Sequence, residues 1–91
     1  MKLTIKVTAD DIKKGQKFCR VNHDNKRTTG CAIARAFQRA TGDSEAYWMF
    51  ASGHSQLGSF NASRSKFVDK WVENHDAKKK VKPFNFIATS L

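Results

Sequence analysis

From Cys31 to Gly42 the chain reads CAIARAFQRATG, and this stretch decides the fold. At about 100° per residue, Ile33, Ala36, Phe37 and Ala40 fall on one arc of a helix and Arg35, Gln38 and Arg39 on the other. Thr28 or Thr29 is placed to cap its N-terminus, and Gly42 to end it. A helix that buries alanines and a single phenylalanine can lie close against a sheet, so the flanking segments should supply strands.

Upstream, Leu3, Ile5 and Val7 alternate with Thr4 and Lys6, the period-two pattern of a half-buried strand. Thr8 and Asp11 have the spacing of a capping box, with Asp in the usual Glu position, and Gly15 suits the residue after a helix. A short helix over roughly 9 to 14 fits between them. Its acids, Asp10 and Asp11, lie at the N-terminal end and its lysines, Lys13 and Lys14, at the C-terminal end, as the helix dipole favours. Residues 15–30, GQKFCRVNHDNKRTTG, show neither period and read as a long ordered loop pinned by Phe18 and Val21.

Downstream, the aromatic run from Ala46 to Ala51 reads as a strand, residues 52–54 as a turn, and Gln56 to Phe60 as a return strand weakened by Gly58. Asn61 or Ser63 caps a third helix running to about His75. Phe67, Val68, Trp71 and Val72 form its apolar stripe. Residues 77–80 connect it to a last strand over about 84 to 89, with Pro83 at the strand's start. The order is β-α-loop-α-β-β-α-β: one α+β domain over residues 1–91. A small, largely antiparallel sheet of about three or four strands packs with two main helices and one short helix. Ile5, Val7, Phe37, Phe67, Trp71 and Phe86 should share its core.

The chain carries 17 Lys and Arg against 8 Asp and Glu, a formal net charge of +9 in 91 residues. The excess is concentrated. Lys13, Lys14, Lys17, Arg20, Lys26, Arg27, Arg35 and Arg39 face only Asp24 between residues 13 and 39. Such a stripe attracts polyanions, because neutralising phosphates releases condensed counterions. Nothing approaches the ~18 apolar residues of a membrane span, and the alternating N-terminus is unlike a signal peptide. The chain therefore reads as a soluble cytoplasmic protein with Cys19 and Cys31 as free thiols.

Chemical motifs are sparse. Cys19, His23 and Cys31, with His54 or His75, offer zinc donors, but no C-x2-C pair is present and no metal site is expected. Cys31 at a helix start has the setting of an activated thiol without an evident base or oxyanion site. GQKFCR lacks the phosphate-loop spacing. No cofactor and no enzyme activity are expected. Tyr47, Trp48 and Phe50 could stack bases, although the usual RNA-recognition pattern is absent and core packing is their commoner use. The lysine run from Lys78 to Lys82 is either a solubilising connector or a non-specific phosphate contact.

The segments LTIKVTADDIKKG, GCAIARAFQRATG and KVKPFNFIATSL, together spanning the chain's length, resemble small phage-encoded proteins. Within that group the chain resembles the type I-F anti-CRISPR proteins. The resemblance implies a non-enzymatic inhibitor, monomeric when free, acting in the cytoplasm of the bacterial host. It would dock on the RNA-guided surveillance ribonucleoprotein, made of guide RNA and backbone protein subunits, and keep target DNA from pairing with the guide. Many such inhibitors are acidic DNA mimics. A chain of +9 cannot imitate DNA, so its electrostatic target would be guide RNA or an acidic protein surface. On this reading Lys26, Arg27, Arg35 and Arg39 grip phosphates. Asn22, His23 and Asn25 add base or sugar contacts, and Lys14, Lys17 and Arg20 extend the same surface. The alternative is a small DNA-binding regulator using the helix at 30–41, although its alanines are poor base readers.

Overall fold

The period-two segment forms the strand β1 (Lys2–Val7), followed by the short helix α1 (Ala9–Lys14). The structure is a computed structural model and describes residues 1–15, 30–49, 51–77 and 79–91. The expected capping box is present. Asp11 N–H donates to Thr8 Oγ1 at 3.2 Å, and Thr8 N–H donates to Asp11 Oδ2 at 3.0 Å. The longer helix α2 (Ala32–Thr41) stops at Gly42, whose φ of 74° is left-handed and suits glycine. Its N-cap is Cys31, whose sulfur accepts from Ala34 N–H at 3.4 Å. This corrects the cap expected at Thr28 or Thr29, residues that lie outside the described part.

Three short strands follow: β2 (Tyr47–Met49), β3 (Ser52–Ser55) and β4 (Gly58–Ala62). The helix α3 (Ser65–Asp76) leads to β5 (Phe84–Ser90). The five strands form one antiparallel sheet in the order β1-β5-β4-β3-β2. The sheet therefore has one strand more than the four in the expected element order, because residues 52–55 pair on both sides where a turn was expected. The reason lies in packing. Gly53 faces inward, and a Cβ there would collide with the Trp48 ring and with Phe37. A small residue is required under those rings, and it makes the strand look like a turn.

All three helices lie on one side of the sheet. Ile5, Val7, Trp48, Phe60, Phe86 and Ala88 are buried on that side. Their neighbours Lys2, Thr4, Lys6, His54, Asn61, Asn85 and Ile87 are exposed on the other. Phe37 of α2 meets Trp48 edge-on at 5.1 Å and Phe60 at 5.6 Å, and Trp48 meets Phe86 at 5.3 Å. Edge-to-face pairs of this kind add about 0.5–1.5 kcal/mol each beyond area burial. Val68, Val72 and His75 of α3 are fully buried, and Trp71 is nearly so. Phe67 is not in the core: it is 43% exposed. It sits at the rim of the stripe, where α3 meets the start of β5. Among the described residues, no helix is long and apolar enough to cross a membrane.

Candidate polyanion-binding surfaces

The sequence reading places two candidate phosphate-binding cations, Arg35 and Arg39, on the outer face of α2. The fold gives two of them acidic partners from α1. Asp11 is almost completely buried beneath α2. Arg39 forms a two-pronged contact with it, Nη1 to Oδ1 at 3.1 Å and Nη2 to Oδ2 at 2.7 Å, and Nη2 also donates to the Lys6 carbonyl at 2.8 Å. Arg35 Nε lies 3.5 Å from Asp11 Oδ1, and its Nη2 lies 3.6 Å from Asp10 Oδ2. Lys14 Nζ is 3.5 Å from Asp10 Oδ1. Burial alone would raise the Asp11 pKa. The Arg39 hydrogen bond, the Thr8 backbone N–H and the Arg39 charge outweigh it and hold the carboxyl below the usual carboxylate range. The same hydrogen bond, against some desolvation, raises the pKa of Arg39.

Lys14, Arg35 and Arg39 are thus brought together, but around two carboxylates. Arg35 and Arg39, expected from the sequence to grip phosphates, therefore also tie α2 to α1. Arg39 keeps half its side chain exposed. With Arg35, Gln38, Gly42 and Ser44 it lines an open cleft of about 390 Å³. A phosphate arriving there would have to compete with Asp11. The other seven expected site residues, Lys17, Arg20, Asn22, His23, Asn25, Lys26 and Arg27, lie outside the described residues.

A second basic surface lies between α3 and the start of β5, where Phe84 pairs with Val7 at the end of β1. Phe67, Trp71 and Phe84 form a ring cluster, with centroid separations of 5.3 Å for Phe67–Phe84 and 5.0 Å for Trp71–Phe84. Trp71 is fixed by its indole N–H, which donates to the Lys82 carbonyl at 2.9 Å. These rings, with Lys70, Asn74, Lys80, Val81, Lys82 and Pro83, line a groove of about 470 Å³. Lys79, Lys80 and Lys82 are exposed and form no ion pair with a described residue, whereas Lys70 lies 3.7 Å from Glu73. Arg64 does not line the groove but places its guanidinium 4.1 Å from the centre of the Phe67 ring. At an exposed site such a contact contributes about 0.5–1 kcal/mol. The lysine run held part of this surface in sequence. The groove beside it depends on Phe67 missing the core, which helical periodicity does not reveal.

Of the aromatic run, Trp48 is fully buried, Tyr47 stands half-exposed on the open sheet face 5.7 Å from His54, and Phe50 lies outside the described residues. Cys31 is disulfide-bonded. This overturns the expectation of free thiols and removes Cys31 as a thiolate or a zinc ligand. The chain's other cysteine, Cys19, lies outside the described residues. Among the described residues, no three His, Cys, Asp or Glu side chains are grouped so as to hold a metal. No family model, curated protein or solved structure matches the chain.

Proposed function

We propose that this chain is a non-enzymatic binding protein whose target is the phosphate backbone of RNA within a ribonucleoprotein, and that it acts by keeping a competing nucleic acid away. One observation carries the reading: the described positive surface is not compensated. Lys2, Lys6, Lys13, Lys66, Lys79, Lys80 and Lys82 are exposed without an ion pair to a described residue, and the pairs that do form among the described residues use up Asp10, Asp11 and Glu73. A field of that sign raises the local concentration of polyanions and their association rate. On the family resemblance, the ribonucleoprotein is the bacterial RNA-guided surveillance complex, the excluded strand is its target DNA, and the place of action is the host cytoplasm.

The DNA-regulator alternative finds less support. Ala32, Ile33, Ala34, Ala36 and Phe37 of α2 are buried. Of the outward polar residues, Gln38 donates to the Ala46 carbonyl and both arginines are paired with carboxylates. Little of that helix remains to read base edges in a groove.

The reading is tested by binding to a reconstituted surveillance complex across a salt series, with target DNA as competitor and nuclease treatment as control. The expected result is affinity that falls linearly in log–log form with salt, lost with the RNA, and exclusion of target DNA. Salt-independent, nuclease-resistant binding would overturn it.

A further inference from the structure

We propose that the groove between α3 and β5 is a site for single-stranded nucleic acid, taking an unpaired base against Phe67 and Phe84 while Lys80 and Lys82 hold the adjoining phosphates. The inference rests on the polyanion reading above and names a surface and a strand state that the reading leaves open.

Three features of the groove point to this occupant. First, it presents ring faces next to cations. Phe67 is 43% exposed even with the Arg64 guanidinium 4.1 Å from its ring centre, Phe84 is half-buried, and Lys80 and Lys82 line the same groove, so a base stacks on the ring area that Arg64 leaves open or takes the place of that exposed guanidinium. A base needs a flat apolar partner and its phosphate needs a point charge, and single-strand binders combine the two. Second, the aromatic floor is rigid. Trp71 is tied to the Lys82 carbonyl and stacked on the buried His75 at 5.1 Å, so the ring supporting Phe84 is held in place. Third, the charge is one-sided. Residues 64–82 carry seven Lys and Arg against three Asp and Glu. Of the described acids, Glu73 is drawn to Lys70, and Asp69 lines a different cleft, on the side facing Met49 and Asn61.

An acidic peptide fits less well. The Trp71 N–H is already used, leaving Asn74 as the groove's uncharged side-chain amide, so little is offered to a peptide backbone. Duplex nucleic acid keeps its bases stacked inside the helix and could use only the lysines.

The experiment compares wild type with Phe67→Leu and Phe67→Trp by fluorescence anisotropy. The probes are a labelled single-stranded oligoribonucleotide, the same sequence as a duplex, and polyglutamate. Phe67→Leu keeps an apolar side chain and removes the ring, and circular dichroism checks that each variant is folded. Wild type should prefer the single strand. Phe67→Leu should weaken that binding about tenfold, the scale of one lost base–ring stack, while Phe67→Trp retains it. Binding of polyglutamate should be weaker and unchanged by either variant. The inference is overturned if Phe67→Leu matches wild type, if the duplex binds as well as the single strand, or if polyglutamate displaces the RNA at equal charge concentration. Salt-dependent RNA binding that ignores Phe67 would remove this site and leave the polyanion reading intact. No affinity of wild type for any RNA would remove both.

Discussion

Arg39 and Lys82 carry the same charge and use it in opposite directions. Around α1 and α2, Lys14, Arg35 and Arg39 face Asp10 or Asp11, and Arg39 donates to the buried Asp11 carboxylate and to the β1 backbone. Between α3 and β5 the lysines turn outward, with no acid of the described structure against them except Glu73 on Lys70. The difference shows that equal charge along the chain does not mean equal charge left for a partner, since an acid brought close by the fold takes up part of it. Counting charges along the sequence favours residues 13–39. Among the described residues, Arg35 and Arg39 face carboxylates, whereas Lys79, Lys80 and Lys82 form no ion pair.

The two regions can be separated by their response to mutation. The largest effect should come from the rigid floor of the groove. Trp71→Ala empties a site that is only 6% exposed, and should cost about 3–5 kcal/mol in denaturant unfolding. An unchanged midpoint would mean the ring cluster does not support the core, and the groove would lose its fixed wall.

Next in size is charge reversal. Arg39→Glu sets a carboxylate against buried Asp11 and should destabilise the fold by about 3 kcal/mol, since breaking a buried pair strands its partner. Lys82→Glu should change stability by less than about 0.5 kcal/mol, as for an exposed residue outside any network. Equal effects at the two positions, by the same unfolding measurement, would erase the contrast between the regions.

The Asp11 pair also predicts an acid limb. Its folded pKa lies below the unfolded value of about 3.9, so the unfolded chain binds the proton first as pH falls. The stabilisation is therefore complete above about pH 4 and is lost as pH drops through the folded pKa. Thermal unfolding as a function of pH should show this loss in wild type, and Asp11→Asn should lack that component while being less stable at neutral pH. A variant with the wild-type acid slope would place the titrating group elsewhere.

Much of the fold was legible because its signals are local. The Leu3–Ile5–Val7 alternation, the Thr8–Asp11 box, the Gly42 stop and the Phe84–Phe86–Ala88 face each rest on neighbours within a few residues. The third hairpin strand was hidden because Gly53 is small for the sake of Trp48 and Phe37, a reason visible only once the sheet is assembled. The site was less legible for the same cause. Asp11 and Arg39 are 28 positions apart, and no pattern along the chain announces that they meet. Phe67 fits the apolar stripe of α3 by spacing, and only the start of β5 decides that it stays at the surface beside Lys80 and Lys82.

The smallest effect on stability should come from the most informative binding variant. In Lys80→Gln/Lys82→Gln both side chains stay polar and lose their charge, and neither lysine forms an ion pair with a described residue, so the melting temperature should stay essentially that of wild type. Binding to single-stranded RNA should respond strongly. Each phosphate contact contributes about 0.7 to the slope of log affinity against log salt for a single strand, so the double variant should flatten the slope by about 1.4. The matched control is Arg35→Gln/Arg39→Gln, measured where circular dichroism shows it folded. Because those guanidiniums already face carboxylates, their loss should lower stability more than it flattens the salt slope. If instead the arginine pair carries the slope and the lysine pair does not, then RNA displaces Asp11 from its partners. The inward-facing network would then be a binding site held closed by its own acids, and the groove beside Phe67 a solvated connector.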